Sequence, residues 1–228
     1  MTATTERVET RSDLAWRGRI PLALLLPVGP VAIAVLRFVL PYDTTDSSSE
    51  VARQVAAHQT AQNAVVWLGF VAMLTLVPAV LVVAKVARRE SPRLAAVGAA
   101  LLVPGYLALG WLIVTDAAVL FAVRQGLPTD VAAEAYAELH PGVAVAGGIF
   151  VIGHVVGSVL LGCALLRGTS VPAWAAIAVL VSQPLHFVAA VIVSSHELDL
   201  FAWGLNAVGF AAVSVTMLRM SDKEWVSR

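Results

Sequence analysis

Apolar and polar positions fall in long blocks along this chain. Six stretches, residues 20–40, 64–84, 94–123, 143–166, 171–194 and 200–218, are almost unbroken in apolar side chains, and short segments rich in charge, proline and glycine separate them. A hydrocarbon core of about 30 Å takes about 20 helical residues to cross, so each stretch predicts one transmembrane helix. A shorter pattern occupies two of the connections. Residues 49–58 (SEVARQVAAH) and 129–138 (TDVAAEAYAE) each begin with a hydroxyl residue suited to N-capping, place an acid in the first turn and repeat apolar positions at helical spacing. The expected fold is therefore an all-α, polytopic membrane protein with six transmembrane helices and two short amphipathic outer helices. It forms a single membrane domain, with the bundle over residues 20–218 and tails at 1–19 and 219–228.

Composition supports this class and removes others. Of 228 residues, 59% are hydrophobic and 13% charged, a balance that soluble domains do not keep. Fifteen basic residues balance fifteen acidic ones, which argues against a nucleic-acid binder or a polyacidic tail. Cys163 is the single cysteine, so one chain can form no disulfide, no Cys-x-x-Cys pair and no cysteine-only metal site. The first apolar stretch follows Arg11, Arg17 and Arg19 as a secretory signal would, but it is too long for an h-region and predicts a retained helix.

The zero net charge is an average over two unlike surfaces. Twelve basic and six acidic side chains fall on the side of the N-terminus, two basic and eight acidic on the other, and Arg37 and Asp116 lie within the spans. Positive residues concentrate on the cytoplasmic side of membrane proteins, which predicts that both termini are cytoplasmic.

An offset of 80 residues aligns the two amphipathic segments, Phe70-Val71 with Phe150-Val151, and Ala84 with Ala164. This spacing suggests repeat units near 20–87 and 94–167, each made of helix, outer helix and helix, followed by a third hairpin turning at residues 195–199. Pro27, Pro30, Pro78, Pro104 and Pro184 lie inside spans, where each removes a backbone donor. The fourth span holds five glycines, and the Gly153-x-x-x-Gly157 spacing lets another helix come close, either in this bundle or from a partner.

The six spans, the amphipathic segment after the first, IGHVVG at 152–157, LLGCALLR at 160–167 and PAWAA at 172–176 together resemble the uncharacterised bacterial six-helix integral membrane proteins grouped as a domain of unknown function. The resemblance implies a fold and brings no activity, cofactor or catalytic residue. Thirteen arginines against two lysines, with abundant alanine and valine, fit a high-GC bacterial source, hence a multi-pass protein of the bacterial cytoplasmic membrane.

Function should be sought in the polar side chains held inside the spans. An unpaired charge at mid-helix costs about 2.5–3.5 kcal/mol, so such groups are paired or face a cavity. Helical rise places Arg37 roughly 5 Å from the outer end, Asn206 roughly 10 Å, Asp116 and His186 roughly 12 Å, and His154 roughly 17 Å. One polar layer in the outer half is thus predicted, with Asp116, His154, His186 and Asn206 as pocket or relay residues. Arg37 and Asp116 form the expected buried ion pair. The two histidines suit interior hydrogen bonds, a zinc site completed by Asp116, or the axial positions of a haem. Asp43, Asp46, Glu50, Asp130, Glu134, Glu138, Glu197 and Asp199, with His58, His140 and His196, make up an acidic outer surface. No phosphate-binding glycine loop, dinucleotide-binding turn or nucleophile elbow occurs.

These residues point to a small transporter or membrane sensor with a polar pocket in the outer half of the bundle. Its partners would be the lipid bilayer and a proton, cation or small hydrophobic ligand, with no nucleic acid. Two alternatives remain: a metal-dependent intramembrane hydrolase using His154, His186 and Asp116, and a non-catalytic partner subunit packing through Gly153 and Gly157. The sequence specifies no cofactor and leans away from an enzyme.

Overall fold

The computed structural model describes residues 18–137 and 139–227. Arg7, Arg11, Arg17, Glu138 and Arg228, which enter the charge distribution above, lie outside them. Among the described residues there is no strand. The helices are α1 (Gly18–Val39), α2 (Ser48–Ala57), α3 (Gln59–Ala87), α4 (Pro92–Arg124), α5 (Thr129–Ala137), α6 (Gly142–Leu166), α7 (Ala173–Val193), α8 (His196–Arg219) and α9 (Asp222–Ser227). Six of these, α1, α3, α4, α6, α7 and α8, are long and apolar enough to cross a membrane. The chain is a multi-pass integral membrane protein, and each span lies where the apolar stretches put it.

The six spans close into a ring in chain order: α1 packs on α3, α3 on α4, α4 on α6, α6 on α7, α7 on α8, and α8 returns to α1. The α4–α6 contact is the most extensive, and glycine is the reason. A Cβ at Gly153 would stand 2.6 Å from the Leu101 carbonyl oxygen and 2.9 Å from Cα of Gly105, and one at Gly157 would stand 3.0 Å from the Gly98 carbonyl oxygen. Only a hydrogen at these positions lets the two backbones touch. Gly153 and Gly157 are therefore consumed within the chain, and the expected partner interface through them is corrected: α4 already occupies that face.

Large apolar side chains such as Leu24, Trp67, Leu107, Phe121, Ile152 and Ile192 project from the outside of the ring, where lipid rather than water can receive them. At one end of the bundle, Arg19 of α1 pairs with Asp222 of α9 at 3.1 Å, and Lys85 lies over the Trp225 ring at 3.7 Å. The start of α1 and α9 thus share one side, as an even number of spans requires.

At the opposite end α2 and α5 pack on each other and on α4. α2 is capped by Ser47, two residues before the expected start, with its hydroxyl accepting from the Glu50 N–H. The order long, short, long occurs twice, over α1–α3 and α4–α6. Among the residues aligned by the 80-residue offset, Ala84 and Ala164 are both buried, while Phe70 points out of the ring and Phe150 lines an internal cavity.

Pro184 leaves α7 without one backbone donor, and four residues later the helix widens to π-type hydrogen bonding over Val188–Val193. Ser194 then takes a left-handed conformation with φ of 53°, and Ser195 caps α8 by accepting from the Leu198 N–H. The hairpin turns at 194–195, so Asp199 falls inside the first turn of α8 and is drawn into the bundle.

Candidate functional site

A cavity of about 320 Å³ lies in the half of the bundle capped by α2 and α5. Its walls are mostly apolar, with Leu36, Leu109, Ile113, Phe150, Phe187 and Trp203 among them. Ala190 and Val191 of the π-helical segment also face it, so the widened turn after Pro184 shapes one wall. Into this apolar space the chain brings Arg37, Asp116, His154 and His186 from four different spans, and Tyr42 and Tyr136 from the connections at that end.

Two polar groupings hold these side chains. In the first, the fully buried Asp199 carboxylate accepts from Arg37 Nε on one oxygen and from His186 Nδ1 on the other at 2.5 Å. Arg37 also donates to Thr44 Oγ1 at 2.8 Å. One carboxylate therefore ties α1, α7 and α8 together. In the second, Asp116 Oδ1 accepts from the Tyr42 hydroxyl and from Gln62 Nε2 at 2.8 Å. The Tyr42 ring meets the Tyr136 ring edge-on with centroids 5.8 Å apart. Burial, and after it the Asp116 charge, pushes the Tyr42 hydroxyl well above the ordinary tyrosine range, and the same two causes raise Tyr136.

The expected Arg37–Asp116 ion pair is corrected by this geometry. Arg37 has Asp199 as its partner, because α8 begins early enough to bring that acid inside, and Asp116 is instead held by a phenol and an amide. The same finding removes Asp199 from the solvated outer surface. Asp43 pairs with His196 at the start of α8 at 3.1 Å, and Glu50 with Arg53 one helical turn away.

The proposed zinc ligands His154, His186 and Asp116 do not converge as a donor set. Among the described residues no group of three or more histidine, cysteine, aspartate or glutamate side chains could hold a metal ion. Asp116 Oδ1 is taken by Tyr42 and Gln62, and each imidazole has committed one nitrogen. His154 Nδ1 lies 2.5 Å from the Phe150 carbonyl oxygen, with the two rings stacked at 4.2 Å, and His186 Nδ1 is held by Asp199. Asn206 is fully buried beside Tyr106, one helical turn past Trp203 and outside the cavity wall, so the polar layer contains three of its four expected members.

No family model, curated protein or solved structure matches the chain. Its function is read from the chemistry of the site.

Sequence reasoning missed five contributors, one of them Tyr136 of α5, which it read only as part of an amphipathic segment. Asp199 and Gln62 lie in polar helix starts that extend their spans outward, while Tyr42 sits in a connection, and none of the three carries the signal of a polar residue inside an apolar run. Trp203 reads as one more apolar residue of α8. The spacing between His186 and Asp199, on consecutive helices joined by a tight turn, was the available signal for Asp199.

Proposed function

We propose that this integral membrane protein binds a small, largely apolar molecule in its outer-half cavity and serves as a membrane sensor or carrier for it. The observation behind this reading is a cavity of about 320 Å³ whose walls are apolar and whose few polar side chains come from separate spans. Ligand sites commonly begin near 300 Å³ and combine apolar walls with a few fixed polar groups. At the roughly 30 Å³ that a water molecule occupies in the liquid, the space suits a ligand of about ten non-hydrogen atoms.

The end of the bundle remote from the cavity carries Arg19, Lys85, Arg88, Arg89, Arg93, Arg167, Arg219 and Lys223, whereas Arg53 and Arg124 are the exposed basic residues of the cavity end. By the positive-inside rule the remote end faces the cytoplasm of a bacterial cell, and the cavity belongs to the outer leaflet.

Gly147 lines the cavity, and a Cβ there would meet Leu112 Cδ2 at 3.9 Å and nothing closer, so a side chain added there starts without a clash at Cβ. The test is calorimetric titration of the protein in lipid nanodiscs, against empty nanodiscs, with three matched probes: tert-butylbenzene, 4-tert-butylanisole and 4-tert-butylphenol. Saturable binding of any of them to the native protein and its loss in Gly147→Leu is the expected result. Equal heats with native protein, Gly147→Leu and empty discs would remove the reading.

A further inference from the structure

Two residues that line this cavity each hold a buried polar atom with no hydrogen-bond partner in the protein, and the two atoms are of opposite kind. His154 Nε2 and Trp203 Nε1 are both buried, and neither meets a donor or acceptor. The residues are 1% and 0% exposed, and both line the cavity. Buried polar atoms are nearly always satisfied, so a lone pair and an N–H left over on two residues of one cavity describe the group that would complete them.

Their chemistry is fixed by their neighbours. The Phe150 carbonyl can only accept, so His154 Nδ1 must carry the proton it donates there, and Nε2 of the neutral ring is an acceptor. An indole N–H can only donate. The two rings flank the same side chain: the His186 ring lies 5.3 Å from His154 and 5.5 Å from Trp203, centroid to centroid. His186 stays oriented by Asp199, whose charge Arg37 already balances.

We infer that the cavity recognises a neutral hydroxyl group, as carried by an alcohol or a phenol, which donates to His154 Nε2 and accepts from Trp203 Nε1–H. This rests on the cavity reading above and names the class of ligand. A ketone, ether or carboxylate offers acceptors alone and leaves the imidazole lone pair unanswered. A primary ammonium offers donors alone and leaves the indole N–H unanswered. A hydroxyl answers both, and the apolar walls receive the hydrocarbon attached to it.

The same three probes separate this inference from the one it rests on, since they share a body and differ in offering a hydroxyl, an ether oxygen or neither. The expected result is that 4-tert-butylphenol binds the native protein about ten-fold more tightly than 4-tert-butylanisole, the worth of one buried hydrogen bond. That preference should fall to two-fold or less in both His154→Phe and Trp203→Phe, each verified as folded by size-exclusion elution and circular dichroism (about one-third of the free-energy difference or less). Because the two variants remove different partners, misfolding of one leaves the other decisive. Equal affinity for phenol and anisole in the native protein overturns the hydroxyl inference while the cavity reading stands. A phenol preference that survives both substitutions overturns it as well. Binding of none of the three probes overturns both, and water alone then satisfies the two atoms.

Discussion

Arg37 and Asp199, separated by 162 residues in sequence, form an ion pair that joins the C-terminal end of α1 to the first turn of α8. It closes the ring of helices at the cavity, because Asp199 also holds His186 of α7. Removing one member of a buried pair leaves the other charged and unanswered, which costs about 3–5 kcal/mol, whereas apolar replacement of both is far milder. Asp199→Leu should therefore lower stability in detergent by about that amount, and Arg37→Met with Asp199→Leu by clearly less than the sum of the two single changes. Guanidinium or thermal unfolding of the four proteins in a double-mutant cycle gives the coupling. Additive losses would mean that the pair contributes nothing as a pair.

Asp116 should couple to Arg37 only weakly, through charge across the cavity and not through a hydrogen bond. Its carboxylate accepts from Tyr42 and Gln62, so Asp116→Ala removes the shortest hydrogen bonds of two buried donors, at a cost of about 1–3 kcal/mol. Combined with Arg37→Met, the coupling should stay below about 1 kcal/mol, because the two side chains share no hydrogen bond. A coupling above about 1 kcal/mol in the same unfolding assay would restore the direct Arg37–Asp116 pairing that the apolar pattern alone suggested.

The contrast between these two acids explains how much could be read in advance. The spans were legible because twenty-residue apolar stretches leave a chain few alternatives to a transmembrane helix. Asp116, His154 and His186 were legible as site residues because a polar group inside such a stretch needs a reason. Pairing was not legible, since it depends on helix rotation and on where each helix begins. Asp199 looked like a loop acid until the left-handed Ser194 and the Ser195 cap started α8 early, and Tyr42 and Gln62 reach the site from outside the apolar stretches. Gly153 and Gly157 were readable as a packing stripe, but only the matching Gly98 and Gly105 on α4 show that the partner is internal.

That internal packing sets a sharp expectation for glycine substitutions. Gly153→Ala puts a Cβ within 2.6 Å of the Leu101 carbonyl oxygen, backbone that cannot step aside, so the α4–α6 contact must open. Overpacking of this kind costs about 1–3 kcal/mol. Gly148→Ala, on the same helix with nothing within 4 Å of the added Cβ, should be neutral or stabilise by up to about 1 kcal/mol through helix propensity. Thermal unfolding of the two variants in one detergent tests the assignment. Equal effects would mean that Gly153 does not face α4.

The tyrosines at the cavity mouth make stability fall at alkaline pH. Tyr42 is held protonated above its ordinary pKa of 10.0, first by burial and then by the Asp116 charge, and Tyr136 is raised by the same causes. Above that ordinary value the unfolded chain releases phenolic protons that the folded protein keeps, so the folded state binds more protons and loses stability as pH rises. Below it the two states bind these protons equally and no slope arises from them. Each tyrosine contributes at most about 1.4 kcal/mol per pH unit. Tyr42→Phe should be less stable than the native protein near neutral pH, by about 1–3 kcal/mol, because Asp116 loses a donor. Between about pH 10 and 11 its stability should decline less steeply than the native protein's. Chemical unfolding across that window measures both effects. An unchanged alkaline slope in Tyr42→Phe would show that Tyr42 ionises as readily in the folded protein as in the unfolded chain, and that the phenol is not sealed between Asp116 and Tyr136.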